Sequence, residues 1–463
     1  MADISPTMGG LRRRLTVTDL LAYGLVFMVP VAPMAIFGAV FAASHGMVVL
    51  AYLVGAVTMG FTAVSYAQMV KAFPLAGSVY TYAGRGIAPS VGFLAGWAML
   101  ADYVAVPCLL AVVAAVSMHA TVPLIPVWAW VLAFVGVNMV INVSGIRVTA
   151  TATRLFLIAE LIVLAVFLLV AGWVVWREGG NGWSWEPVFD PAAFSWPVVL
   201  AGVSVAMLSF LGFDAITLLA EEHDGAAKRV GWAMIAALGL AAVLFAAQTW
   251  LAALLIPDPG RLIADGDPSG TAFYQAAGTA VGWLSGMCAV ATALAWGIAN
   301  SLVAQTATSR LLFAMARDRQ LPTLLAKVSI RRGVPVNAIL TTAALSVGLG
   351  LYMAVRADGV VLLSSLVNFG ALTGFVILHV NVVWHYLVRQ RSRRWIPHLL
   401  VPVAGVGLLV AVAVHANVLA QRAGLLWIAS GAVVLAGLWI AGMRPQLAGM
   451  PGTANPTTGA HHV

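Results

Sequence analysis

Residues 20–43, LLAYGLVFMVPVAPMAIFGAVFAA, form an apolar run long enough to cross a bilayer, yet Pro30 and Pro33 sit in its middle. Proline has no N–H to give, and its ring clashes with the preceding turn, so the run is expected to form a broken helix. A second run, residues 198–220, VVLAGVSVAMLSFLGFDAITLLA, carries Gly212 and Asp214 near its centre and is expected to break there. Lipid cannot pair with backbone groups freed by a break. Such segments persist where they are buried in protein or face a wet cavity. Two matched breaks therefore predict an enclosed polar site, as in secondary transporters.

Of the 463 residues, 62% are hydrophobic and 9% charged, too little polar surface to coat a water-soluble globule. The chain is expected to be an integral membrane protein, with room for about twelve crossings at ~20 apolar residues each. The first run is too long for a removable signal peptide and lacks an Ala-x-Ala-like cleavage site. Cys108 and Cys288 lie in apolar runs and read as small core residues, without disulfide or metal.

The net charge of +8 suggests a polyanionic partner until its distribution is considered. Of the 24 lysines and arginines, Arg177, Arg261, Arg356 and Arg422 fall on one side of the expected membrane and the other twenty on the opposite side. That asymmetry predicts a multi-pass inner-membrane protein with both termini cytoplasmic, and no nucleic-acid partner.

Residues 1–15 read as a cytoplasmic tail, 16–176 as a first set of five spans, and 177–197 as an external loop with belt tryptophans Trp183, Trp185 and Trp196. Residues 198–387 read as a second set of five spans, 388–443 as two further spans, and 444–463 as a disordered tail. Residues 71–89, KAFPLAGSVYTYAGRGIAP, read as a loop too polar and Gly/Pro-rich to cross. Breaks in the first and sixth spans suggest two five-helix repeats of opposite orientation, because five is odd. The expected fold class is an all-α polytopic membrane protein.

Three acids fall deep within spans, Asp102, Glu160 and Asp214, and no lysine or arginine is comparably deep. A charge at the bilayer centre costs about 2.5–3.5 kcal/mol on insertion scales. These acids are either protonated or met by something cationic. Asp214 either contacts substrate or proton, or accepts N–H groups freed by the break. Asp102 beside Tyr103 is a ligand site or a structural pair, and Glu160 is a proton or cation site or an isolated core acid. Glu221 and Glu222, at the cytoplasmic mouth, are solvated or gating.

The breaks put Pro30, Val31, Ala32, Met34 and Gly212 at the expected substrate site, where exposed helix ends present N–H or C=O groups. Tyr23, Phe27, Phe210, Phe213 and Trp296 either close over a substrate, with cation–π attraction to an amine, or pack as ordinary core. Asn300 and Ser301 either coordinate an ion or join helices. No HExxH or GxSxG is present, and His119, His379 and His385 have no ligand spacing, so no catalytic residue, metal or cofactor is expected.

Phe73-Pro-Leu-Ala-Gly-Ser-Val-Tyr-Thr-Tyr82 resembles the FPxAGSxYxY signature of the amino acid, polyamine and organocation (APC) transporter superfamily. Arg310-Leu-Leu-Phe-Ala-Met-Ala-Arg-Asp-Arg-Gln-Leu-Pro322 resembles its R-x-x-F-A-M-A-R-D-x-x-L-P run. Phe210-Leu-Gly-Phe-Asp-Ala215, followed by Ala220-Glu-Glu222, is similar to its unwound sixth span. Asp102 and Tyr103 with Pro107, and prolines in place of the glycine-rich first break, look most like its bacterial putrescine importers. The resemblance implies a leucine-transporter (LeuT) type five-plus-five fold with twelve spans, alternating access, and a central site between spans 1, 3, 6, 8 and 10. By ungapped alignment from Gly145, Glu160 takes the place of a lysine found in proton-coupled relatives.

The implied substrate is a small cationic amine, putrescine or another polyamine, imported by a monomer or homodimer with the proton gradient or membrane potential as drive. An amino-acid permease or exchanger of the same fold is the alternative. A non-transporting nutrient sensor lacks support, since no soluble signalling domain is visible in the sequence.

Overall fold

The computed structural model describes residues 16–440 apart from 76–77, 179–182, 221–222, 224–225, 268, 318–320, 330–331, 357–358 and 416–417. Regular structure among them is helical. Ten helices are long and apolar enough to span a membrane, eleven if a bent pair at the start counts as one; Gly424–Ile440 is a shorter apolar helix.

The bent pair is α1 (Val17–Met28) and α2 (Ala32–Ala43), whose axes differ by 47°. Thr16 caps α1 in a capping box with Asp19. Pro30 keeps Val29 out of the helical region, and Val29 adopts φ 53°, a costly value for a β-branched residue. The surroundings satisfy the break. Ala32 N–H donates to Val29 O at 2.8 Å, and the Pro30 carbonyl accepts from Gln248 Nε2 at 2.9 Å.

Next come α3 (Val48–Ala72), α4 (Ser78–Gly86) and α5 (Pro89–Thr121). The stretch read as a loop thus holds a helix, with Val79, Tyr80 and Tyr82 buried. Glycine makes this possible: a Cβ on Gly92 of α5 would stand 2.6 Å from the Gly84 Cα, so the two backbones nearly touch. The chain continues through α6 (Val127–Ser144), α7 (Ile146–Glu178) and α8 (Trp196–Ala206).

The sixth crossing loses α-helical form where the sequence placed its break. After α8 it tightens into a 3₁₀ turn, Met207–Phe210, extends at Leu211, passes through Gly212 at φ 106°, and resumes as 3₁₀ helix over Phe213–Leu219. The Phe27 ring of α1 occupies the space a Cβ on Gly212 would take, so the two breaks lie against each other.

Beyond it lie α9 (Ala227–Leu254), the short helices α10 (Pro259–Asp265) and α11 (Ala272–Ala280), and α12 (Gly282–Leu294). A π-helical turn, Ala295–Asn300, joins α12 to α13 (Ser301–Arg317). Asn138 of α6 holds this widened turn, its Nδ2 donating to Gly297 O at 2.8 Å. Finally, α14 (Val336–Ala354), α15 (Gly359–Val383), α16 (Val401–His415) and α17 (Val418–Ile440) complete the chain. α17 clasps α5 through Trp97 and Trp427. Their rings stack at 5.4 Å, and each indole N–H donates to the other residue's carbonyl, at 3.1 and 2.7 Å.

Candidate functional site

Where the two breaks meet, a cavity of about 570 Å³ opens, solvent at its mouth included. Phe27, Met28 and Ala32 line it from the first crossing, and Leu208, Leu211, Gly212 and Asp214 from the sixth. α5 contributes Asp102, Tyr103, Val106, Leu109 and Leu110; the π turn and α13 contribute Trp296, Asn300 and Ala304. None of these is a lysine, arginine or histidine. Two carboxyl groups therefore face one low-dielectric space with no cation in the wall among the described residues.

The two acids differ in setting. Asp214 sits at the start of a 3₁₀ helix, where its carboxylate meets the backbone N–H of Gly212. It also accepts hydrogen bonds from Tyr103 Oη at 3.2 Å and Tyr66 Oη at 3.3 Å. Asp214 thus stands in the cavity wall with its carboxylate held by two tyrosine hydroxyls. Asp102 is buried in mid-helix, and its Oδ1 has no hydrogen-bond partner among the described residues. Trp296 Nε1 and Asn300 Oδ1 are likewise buried and unpartnered. A buried polar atom left unpaired costs about 1–3 kcal/mol, so these atoms mark where the wall can take a polar partner.

The other expected site residues that the structure describes are not among those lining the cavity. Pro30, Val31 and Met34 are buried at the first break. Phe210 packs against Phe245 at 5.1 Å and Tyr52 at 6.0 Å, and Phe213 against Phe375 at 5.8 Å and Tyr66 at 6.0 Å. Ser301 Oγ donates to Pro107 O at 3.4 Å, and Tyr23 is half-buried on α1. Glu160, on α7, is 3% exposed, and neither carboxylate oxygen has a partner among the described residues. Glu221 and Glu222 lie outside the described residues. Among those described, no group of three or more His, Cys, Asp or Glu is placed to hold a metal ion.

The family described as amino acid permease matches residues 31–439. The chain belongs to the amino acid permease family. That family lies in the APC superfamily, whose members are multi-pass membrane transporters. The permease is 28% identical over 433 residues to the low-affinity putrescine importer PlaP of Escherichia coli K12, covering 92% of this chain and 93% of that one. It is 29% identical over 405 residues to the branched-chain amino acid permease BcaP of Lactococcus lactis, covering 83% of each. A vacuolar cationic amino acid transporter of Arabidopsis thaliana is 25% identical over 395 residues, 81% of the permease and 63% of that protein.

Three contributors to the permease's site were missed in the sequence. Tyr66 reaches Asp214 from α3, Gln248 holds the first break from α9, and Asn138 holds the π turn from α6. Each is a hydrogen-bonding side chain inside an apolar run. That was the available signal, though it does not identify the distant partner.

Proposed function

We propose that the permease imports a small organic cation, a diamine of the putrescine type, by alternating access across a bacterial inner membrane. The observation that carries this reading is the pair Asp102 and Asp214 on one cavity wall, with no basic residue lining it among the described residues. One ammonium group pairs with Asp214 between the Tyr66 and Tyr103 hydroxyls, the other with the open Oδ1 of Asp102, and the methylene chain lies on the leucines. Likeness to a putrescine importer over nearly the whole length supports it.

In this reading the chain has twelve crossings with both termini cytoplasmic. Residues 16–176 and 198–387 are inverted five-helix repeats, and 388–443 hold two further helices. Phe27 and Tyr23, with Glu221 and Glu222, gate the site. The proton gradient or membrane potential drives uptake, and Glu160 exchanges a proton.

Uptake of labelled putrescine by proteoliposomes tests the site. Asp214→Asn or Asp102→Asn is expected to weaken it by about 10- to 100-fold, the value of one charge-assisted hydrogen bond, with normal membrane expression. Unchanged uptake in both variants sinks the ammonium site.

A second reading, an amino-acid permease or exchanger, rests on a specific feature. Likeness to a branched-chain amino acid permease over 83% of each chain is that feature. Competition by free amino acids but not by diamines selects that reading.

A further inference from the structure

Away from the cavity, one face of the molecule gathers cations that nothing in the transport reading uses. Lys71 ends α3, Lys228 lies in the first turn of α9, and Arg394 stands in the connection between α15 and α16. All three are exposed, and Lys71 lies within electrostatic reach of both others. Behind them are two buried histidines: His398, in reach of Arg394, Lys71 and His385, and His385, in reach of Arg389. No carboxylate pairs with Lys71, Lys228, Arg389 or Arg394 among the described residues.

The segment that carries Arg394 and the two histidines is fixed to its surroundings. The Tyr386 ring stacks on His398 at 4.0 Å and 10°, while its Oη donates to Gln68 O of α3 at 2.9 Å. His398 Nδ1 and Ser392 Oγ share a hydrogen bond of 2.8 Å. Gln390 Nε2 lies 2.9 Å from His385 Nε2, and the buried Nδ1 of His385 has no partner among the described residues. Arg389 is tied to the end of α4, donating to Gly86 O at 3.1 Å and Arg85 O at 3.2 Å. Like charges gathered on one face attract an anion with several acceptor oxygens, and phosphate offers those.

The surface beside the cations identifies the rest of the ligand. Trp395 and Ile396 follow Arg394 directly, with Leu400 four positions further on, and the three are 60%, 68% and 59% exposed. The surface thus passes from cationic to apolar within one residue, as an interfacial site does. A free phosphate ion uses the first part only; a phospholipid uses both. We propose that this basin binds the phosphate group of an anionic phospholipid, held by Lys71, Lys228 and Arg394, with Trp395, Ile396 and Leu400 along its acyl chains.

The full-length permease in neutral detergent, titrated with phosphatidylglycerol, tests this by retained lipid in mass spectrometry and by the midpoint of thermal denaturation. Wild type is expected to retain the lipid and denature at higher temperature. The pair Lys71→Gln with Arg394→Gln is expected to weaken retention roughly thirtyfold, and Arg394→Gln alone, at an exposed position, roughly fivefold. Lys327→Gln with Arg332→Gln, which removes the same charge elsewhere, keeps wild-type affinity, and Lys71→Arg with Arg394→Lys restores binding. Equal loss in the two glutamine pairs, or no effect of Arg394→Gln, overturns the site in favour of diffuse attraction. Inorganic phosphate raising the denaturation midpoint as far as the lipid does would overturn the lipid assignment, leaving a site for free phosphate. No response of wild type to either overturns the proposal entirely.

Discussion

Gly212 joins the two broken crossings, and a side chain there faces two obstacles. Its φ of 106° is hostile to an L-residue, and the Phe27 ring fills the place of a Cβ. Gly212→Ala is expected to lower the stability of the purified permease by about 1–3 kcal/mol, read as a lower denaturation midpoint. Adding Phe27→Ala removes the steric obstacle but leaves the backbone one, so recovery is partial. An unchanged midpoint in the single variant would show that the Phe27 contact is loose. Asp214 and Asp102 were legible in the sequence because an acid deep in an apolar run needs a reason to be there. Tyr66 was not: its hydroxyl meets a carboxylate 148 positions away, and no local pattern encodes that.

Among elements, the crossings themselves were the most legible, because a bilayer requires a long apolar run and a loop does not supply one. The first break was legible through Pro30, whose ring enforces it, and the sixth through Gly212. The π turn at Ala295–Asn300 has no comparable marker, since one extra residue in a turn leaves the composition of a span unchanged. α4 was read as a loop because its polar residues and glycines suit one; tight backbone packing on α5 makes it a helix instead. A break persists only while its freed groups find partners, which is the role of Gln248. Gln248→Leu leaves the Pro30 carbonyl unpaired and is expected to cost about 1–3 kcal/mol. Thermal denaturation in detergent measures this, and a wild-type midpoint would mean that another donor takes over.

For the molecule as a whole, the skewed distribution of lysine and arginine makes a directional statement. With the expected orientation, Glu186→Cys reacts with a membrane-impermeant maleimide added to intact cells, whereas Lys327→Cys reacts after permeabilisation. The two native cysteines are buried and give a low background. The reverse labelling pattern would invert the topology and place the basic basin against the outer leaflet.

The paired indoles of Trp97 and Trp427 bear on any attempt to shorten this protein. Trp97 lies little more than one helical turn before Asp102, so α17 braces from behind the same helix that presents an acid to the cavity. A version trimmed before Val418 would keep every lining side chain and still have a slack wall.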